Sequence, residues 1–206
     1  RVTSTEAIPV IQEVLSEEIG GDLVWRIERY GVSARALSGF DEGLFTARRR
    51  GALVDGEEID LGRVGDVDTV NPQSIHELIT RGDIPVISSI APEGDSSGTG
   101  LNVNADQAAA ALASALGAAK LILLTDVPGL YANWPDTTEV ISTITASRLE
   151  QMLPELASGM IPKMSACLQA VRAGVSKAAI IDGRLGHSVL LEIFTPSGIG
   201  TEVVPD

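Results

Sequence analysis

Polar side chains cluster where a glycine- and serine-containing loop passes into an alanine-rich stretch. Asn102, Asn104 and Asp106 lie at this boundary, and Gln107 follows Asn104 at the spacing of a helix capping box. Helix N-termini bind anions and often lie at ligand sites in α/β proteins. However, acidic residues favour the first turn of any helix, and asparagine is an ordinary cap. The stretch is therefore a candidate site in which each residue also has a purely structural explanation.

A lysine occupies the corresponding place in a later predicted helix. Lys163 follows Gly159-Met160-Ile161-Pro162 and falls in the first turn of that helix. The helix dipole disfavours a cation at this position, so the lysine suggests an anionic ligand nearby. A solvated surface lysine is the alternative.

Two apolar runs with the composition of buried strands end in polar residues. Thr125 ends the run 121–125 and Asp126 follows it, and Asp182-Gly183-Arg184 follows the run 177–181. Ligands of open α/β sheets bind beyond the carboxyl ends of the strands. A polar cap on the following turn explains either aspartate equally well.

Other chemistries have little support. His76 and His187 are far apart, and the single Cys167 allows neither an intrachain disulfide nor a cysteine metal cluster, so we predict no metal-ligating residues. The formal net charge of −13 argues against a nucleic-acid partner. No apolar run reaches the roughly 18 residues of a membrane span, and no signal peptide is visible. We therefore expect small-molecule ligands, no membrane partner and a cytoplasmic location.

The order of predicted elements indicates the fold class. After residue 70, helices and apolar strands alternate, which predicts an α/β fold with a mainly parallel sheet. Asn71-Pro72 should start a helix that Gly82 ends, Pro154 should break another helix, and 84–91 should form one buried strand. Residues 34–67 contain short β-type pieces between glycine-containing turns, and Asp55-Gly56 predicts a hairpin.

Two short helices are predicted ahead of this region. Thr3 and Glu6 have the spacing of a capping box at the start of the first helix. Gly20-Gly21 should end it, and a second helix should run from about Asp22 to Tyr30.

Taken together, these segments resemble the amino acid kinase family from end to end of the chain. The matching segments are Arg1-Val2-Thr3, Gly62-Arg63-Val64-Gly65-Asp66-Val67, residues 84–90, Asn102-Val103-Asn104-Ala105-Asp106, residues 123–130 and Gly159-Met160-Ile161-Pro162-Lys163. The resemblance implies a three-layer α/β/α fold. It also implies transfer of a phosphoryl group from ATP to the side-chain carboxylate of N-acetyl-L-glutamate, in arginine biosynthesis.

The resemblance also implies roles for individual residues. Arg1 would hold the α-carboxylate of the acceptor, as a bidentate arginine can, and Asn102 would bind acetylglutamate. Asp106 would orient the cationic groups around the phosphates, and Lys163 would stabilise charge on the transferring phosphoryl group.

The nucleotide is assigned by the same resemblance. Thr125 and Asp126 would line the nucleotide pocket, and Mg²⁺ would accompany ATP, held mainly by the nucleotide. Residues 1–91 would belong to the acetylglutamate-binding lobe, including the β-hairpin region, and residues 92–206 would form the nucleotide-binding lobe.

The sequence departs from the family at its start. Family members begin with a strand bearing a lysine and paired glycines, followed by a His-Gly-Gly-Gly-type turn, and these residues contact the phosphates. Because the sequence starts at Arg1 without them, we expect an incomplete N-terminal lobe and a 206-residue chain that is inactive alone.

The resemblance leaves two alternative functions. A sister kinase acting on acetylaminoadipate fits the same residues, and so does a regulatory module that senses arginine or another metabolite near 187–201. By analogy with the family we expect a homo-oligomer, a dimer or a hexamer, with arginine as a candidate allosteric ligand.

Overall fold

The computed structural model describes residues 2–54, 57–94, 98–133, 135–196 and 198–206. They form two compact units, Arg1–Ala108 and Ala109–Asp206. The predicted lobes, 1–91 and 92–206, are defined by what each would bind, and that division stays a prediction.

The N-terminal helical region differs from expectation. It runs without a break through α1 (Ala7–Gln12), a π-helical segment (Glu13–Ile19) and α2 (Gly20–Glu28). The predicted stop at Gly20-Gly21 is wrong because Gly20 has ordinary helical angles and is buried, and a Cβ on it would lie 3.3 Å from the Ala36 Cβ. The glycine thus permits close packing on the next strand instead of ending the helix.

The predicted capping box is also wrong. Thr3 forms a parallel bridge with Gly62, donating its N–H to the Leu61 carbonyl at 3.0 Å and accepting from the Arg63 N–H at 2.7 Å. Ser4 accepts from the Ala7 N–H instead, at 3.3 Å. Thr3 therefore lies beside residues 61–63 instead of starting the helix, because its backbone N–H and carbonyl are hydrogen-bonded there.

Residues 34–70 form three strands, and two of these are long rather than the short pieces expected from the sequence. These are β1 (Ala34–Leu37), β2 (Phe45–Val54) and β3 (Glu57–Val70). β2 and β3 pair antiparallel from Phe45↔Val70 to Val54↔Glu57, with register shifts at Thr46/Ala47 and Arg49/Gly51. The antiparallel region is confirmed, while the Asp55-Gly56 turn itself lies outside the described residues.

The apolar run 84–91 divides between two sheets. β4 (Ile84–Ile87) pairs with β1 in parallel, whereas β5 (Ile90–Ala91) pairs antiparallel with β6 (Leu101–Val103). The prediction of one strand is wrong because Ser88 and Ser89 bond to different partners. The Ser88 N–H donates to Leu37 at 2.9 Å, and the Ser89 carbonyl accepts from Val103 at 3.0 Å.

The second sheet of this unit has the order β2-β3-β6-β5, with β3 and β6 parallel. The helix α3 (Gln73–Arg81) begins after Asn71, whose side chain accepts from the Gln73 N–H at 3.2 Å. It ends at Gly82, which has a φ of 87°. Both predicted ends of this helix are confirmed.

The second unit has a four-stranded sheet of order β7-β9-β10-β8. These strands are β7 (Lys120–Thr125), β8 (Thr143–Thr145), β9 (Lys177–Asp182) and β10 (Thr201–Val204). The β7–β9 and β10–β8 pairs are parallel, and β9–β10 is antiparallel. Parallel pairs thus occur in all three sheets, antiparallel pairs accompany them in the two four-stranded sheets, and the α/β class is confirmed.

Helices complete the second unit. They are α5 (Ala146–Met152), a 3₁₀ turn (Leu153–Glu155) where Pro154 was expected to break the helix, α6 (Ile161–Arg172) and α7 (Ser188–Phe194), while α4 (Ala105–Ala115) leads into the unit. α6 buries Met164, Ala166, Cys167, Ala170 and Val171 in the core, and this anchors its N-terminal turn. Over the described ranges, no helix combines the length and apolar character needed to cross a membrane.

A charged network links α7 to the sheet of the second unit. The Lys120 ammonium donates to Glu192 at 2.7 Å and to Glu202 at 2.9 Å, and Lys177 donates to Glu202 at 3.0 Å. Glu192 is buried and also accepts the Ile199 N–H at 2.8 Å. Burial opposes the charge on Glu202, but the two lysines outweigh it and hold the pKa of that carboxyl below its usual value of 4.5.

We predict that Glu202→Gln makes the protein less stable at neutral pH. It should also make the free energy of unfolding depend less on pH in the acid range. A depressed folded-state pKa contributes stability above the unfolded value, and that stability disappears as pH falls through the folded value. The difference in the free energy of unfolding between wild type and E202Q should therefore shrink as the pH falls below 4.5 and through the lowered pKa of Glu202, measured by urea unfolding at each pH. Glu150→Gln, which removes an exposed partner of Arg172, is the control and should change little at any pH. Equal pH profiles for wild type and E202Q would refute the network's role.

Candidate functional site

A cavity of about 600 Å³ lies in the second unit, at the carboxyl end of β7 and the N-terminus of α6. Its walls come from β7 and the loop after it, the end of α5 with the 3₁₀ turn, and the start of α6. The lining residues are Thr125, Asp126, Val127, Leu130, Tyr131, Ala132, Asn133, Met152, Glu155, Leu156, Ala157, Gly159, Met160 and Lys163. Apolar walls with a few polar groups are the usual composition of a small-molecule site.

Strand pairing positions the polar end of β7. Thr125 is the register partner of Asp182 on β9, and the Gly183 N–H donates to the Thr125 carbonyl at 2.8 Å. The Thr125 hydroxyl donates to the Asp126 carboxylate at 3.3 Å, and Asp126 is exposed. Both residues that the sequence placed at this strand end therefore line the cavity.

Lys163 lies in the first turn of α6 and is half-buried. The helix starts after Met160 without a side-chain cap, and Pro162 stands in its first turn. Backbone N–H groups of an uncapped helix start and a lysine ammonium both favour an anion. Among the lining residues Lys163 is the cationic side chain, and it shares the cavity with the carboxylates of Asp126 and Glu155.

A second strand end carries an ion pair beside the cavity. The Arg184 guanidinium donates to both oxygens of Asp182, at 2.9 and 2.8 Å, and the Arg184 N–H donates to the same carboxylate at 2.9 Å. These bonds lower the pKa of Asp182 to about 2. Of the two explanations offered by the sequence for Asp182, the structure supports a turn cap reinforced by an ion pair.

Asn102, which is predicted to bind the acceptor substrate, lies in the first unit. Asn102 occupies the middle of β6, paired with Val64 on β3 and Ile90 on β5. Its side-chain amide donates to the Thr3 hydroxyl at 3.3 Å. Arg1, the other predicted acceptor residue, lies outside the described residues.

Asp106 lies in the first turn of α4 and is half-buried. Asn104 caps this helix, because its side chain accepts the Gln107 N–H at 3.1 Å. The capping role of Asn104 is confirmed, and Asn102 and Asp106 flank it on consecutive elements. A role for Asp106 in addition to its favourable interaction with the helix dipole stays a prediction.

The structure therefore gathers three predicted residues, Thr125, Asp126 and Lys163, around one cavity. Sequence reasoning missed the apolar wall formed by Leu130, Met152, Leu156 and Met160. The turn residues 127–131 and the break at Pro154 were signals of loops at this place, but nothing in the spacing indicated that the two loops face one cavity.

The fold and the cavity indicate the class of protein, and comparison with known proteins identifies the family. A sheet of mixed direction with a cavity at its strand ends is typical of α/β proteins that bind small molecules. Residues 1–182 match the model of the amino acid kinase family, and the chain belongs to that family.

Two curated relatives are similar to this chain over its whole length. The chain is 59% identical over 210 residues to the acetylglutamate kinase of Arthrobacter sp. (strain FB24), an alignment that covers all of this chain and 68% of the relative. It is 59% identical over 205 residues to the acetylglutamate kinase of Leifsonia xyli subsp. xyli, again covering 100% of this chain and 68% of the relative. The chain thus spans about two thirds of the length of these curated relatives.

Two solved structures are similar in fold to the whole of this chain. The N-acetylglutamate synthase from Neisseria gonorrhoeae, complexed with coenzyme A and N-acetyl-glutamate, aligns at a TM-score of 0.81 and 27% identity, over 100% of this chain and 45% of that one. The protein smu.665 from Streptococcus mutans UA159 aligns at a TM-score of 0.79 and 30% identity, over 100% of this chain and 75% of that one.

We predict that Asn104→Ala destabilises the protein by about 1 kcal/mol, the usual effect of removing an N-cap. Asn104→Asp should retain most of the stability, because aspartate caps equally well and suits the helix dipole. The free energy of unfolding in urea measures both. If N104A and N104D unfold at the same urea concentration, the Asn104 cap does not contribute to stability as described.

Proposed function

We propose that the chain belongs to a kinase that transfers the γ-phosphoryl group of ATP to the side-chain carboxylate of N-acetyl-L-glutamate. The product is N-acetyl-L-glutamyl 5-phosphate, in arginine biosynthesis. The family match and the 59% identity to acetylglutamate kinases over the whole chain support this activity. The observation that carries the assignment of the site is that Lys163, Thr125 and Asp126 line a single cavity.

The reaction suits the side chains available. A carboxylate oxygen of the acceptor bonds to the γ-phosphorus as the bond to the bridging oxygen of ADP breaks, and ADP leaves with that electron pair. The acceptor is already ionised at neutral pH, so neither a protein nucleophile nor a general base is needed. Positioning and cationic stabilisation carry the catalysis.

The lining of the cavity contains two kinds of group that suit ATP. Leu130, Met152, Leu156 and Met160 supply apolar walls suited to the adenine ring. Lys163 and the start of α6 supply the cation and the N–H groups suited to phosphate oxygens. We assign Lys163 to the transferring phosphoryl group, and Thr125 and Asp126 to the nucleotide.

The acceptor residues follow from the resemblance. Asn102 would bind N-acetyl-L-glutamate, Arg1 would hold its α-carboxylate, and Asp106 would orient the cations around the phosphates.

Mg²⁺ would arrive with ATP. Among the described residues, no group of three or more His, Cys, Asp or Glu side chains is placed to hold a metal ion. Mg²⁺ commonly keeps several waters and binds through phosphate oxygens, so the nucleotide itself would be its main ligand and would gain charge neutralisation at the phosphates.

Further ligands and location complete the proposal. We propose a cytoplasmic homo-oligomer, a dimer or a hexamer, that accepts no nucleic acid. Arginine is a second candidate ligand, near 187–201. The specific observation in its favour is the likeness to the N-acetylglutamate synthase from Neisseria gonorrhoeae complexed with coenzyme A and L-arginine, at a TM-score of 0.77 and 25% identity.

We expect Lys163→Ala in the full-length protein to lower kcat roughly 10² to 10³-fold with little change in KM, since the charge on the phosphoryl group is stabilised mainly in the transition state. Lys163→Arg should recover part of kcat. Lys177→Ala removes a lysine of the same unit that lies outside the cavity, and it should leave kcat near the wild-type value.

The assay measures ADP release with N-acetyl-L-glutamate and, separately, with acetylaminoadipate. A higher kcat/KM for acetylaminoadipate would favour the sister-kinase alternative. Binding of arginine without binding of ATP would favour the sensing alternative. An unchanged kcat in K163A would remove the role assigned to Lys163.

A further inference from the structure

We infer that Thr201 is a positioning residue for the cavity, holding the loop 127–132 in place through a hydrogen bond to the backbone of the loop. This inference rests on the proposed function, because it takes the cavity as the nucleotide site. Thr201 is not a lining residue itself. Its effect on a ligand would pass through the backbone of Leu130.

The contact is a buried hydrogen bond. The Leu130 N–H donates to the Thr201 hydroxyl at 2.7 Å, and both residues are almost completely inaccessible to solvent. Seventy-one positions separate the two residues in the sequence. A buried backbone donor that loses its acceptor is costly, so the loop depends on this hydroxyl.

Packing next to that bond leaves little freedom. A Cβ on Gly129 would lie 2.6 Å from the Thr201 hydroxyl oxygen and 2.7 Å from a Val140 methyl carbon. Both separations are shorter than van der Waals contact. Only glycine allows the loop to approach Thr201 this closely.

The loop is also held along its neighbouring segment. The Leu130 carbonyl accepts from Ile141 at 2.8 Å, the Ala132 N–H donates to Glu139 at 2.9 Å, and Tyr131 bridges with Val140. These bonds hold the loop against residues 139–141, and the bond to Thr201 holds it against the start of β10. Leu130, Tyr131 and Ala132 then present their cavity-facing groups in one conformation.

Thr201 is itself fixed by the charged network. It begins β10 and pairs with Ile180 on β9, and a Cβ on the preceding Gly200 would overlap the Ile180 carbonyl oxygen. Ile199 donates its N–H to the buried Glu192 carboxylate at 2.8 Å. The cavity wall is therefore connected through Thr201 to the same carboxylate that pairs with Lys120.

The test compares the affinity of the full-length protein for the ATP analogue AMP-PNP, by titration calorimetry, with its thermal midpoint. We expect Thr201→Val, which keeps the shape but removes the hydroxyl, to raise the Kd about tenfold, because the loop must move to satisfy the Leu130 N–H. Thr201→Ser restores the hydroxyl and should bind within about twofold of wild type.

The control is Thr145→Val. Thr145 caps α5 by accepting the Arg148 N–H at 3.3 Å and does not line the cavity. This variant should lose stability while keeping the wild-type Kd, which separates positioning from general destabilisation. If T201V fails to fold, Thr201→Cys provides a similar size with a weak acceptor, and its Kd should lie above that of T201S.

The outcomes separate the two hypotheses. Wild-type Kd in T201V and T201C, whatever their thermal midpoints, would overturn the positioning role and leave the proposed function intact. A wild-type protein that fails to bind AMP-PNP would contradict the proposed function, and the inference about Thr201 with it.

Discussion

The in-register parallel pairing of β7 with β9 is the constraint on which the candidate site depends. It brings Thr125 opposite Asp182, so that both strands stop at one edge and their following loops begin side by side. Gly183 then bonds back to Thr125, which closes this edge. Because parallel strands present their carboxyl ends together, polar residues after each of them accumulate at one place. The cavity opens at this edge because the loop after β7 and the start of α6 meet there.

The position of Lys163 shows how the core supports a site that is locally unfavourable. A cation at a helix N-terminus is opposed by the helix dipole, and the helix start has no side-chain cap. The buried face of α6, from Met164 to Val171, supplies the packing that keeps this turn in place. An anion at the turn would reverse the electrostatic penalty, since it would interact favourably with both the lysine and the N–H groups. A phosphate-binding role would account for a lysine at this position.

Much of the fold could be predicted because local signals and tertiary context agree. Asn71, Asn104 and Thr145 cap helices as their types suggest, and Pro154 breaks α5 as its missing N–H requires. The strands β7 and β9 are apolar, as expected of strands in the core of an α/β unit.

The errors arose where tertiary contacts override a local signal. Gly20 reads as a helix stop, but it serves close packing against Ala36. The run 84–91 looks like one strand, but its two serines direct the chain into different sheets. Thr201 gave no signal at all, because its partner Leu130 is distant in sequence and the bond involves a backbone group. Of the site, the polar residues were predictable from type and position, whereas the apolar walls required the three-dimensional structure.

The central claim is that ATP binds in the cavity formed by Thr125, Asp126 and Lys163. Hydrogen–deuterium exchange of the full-length protein, with and without saturating AMP-PNP, tests it most directly. Binding in the cavity should slow exchange of amides in 125–133 and 156–163, and it should leave the strand pair β1 and β4, which belongs to the first unit, unaffected. Saturating nucleotide that protects other segments while both cavity segments exchange as in the free protein would contradict the claim.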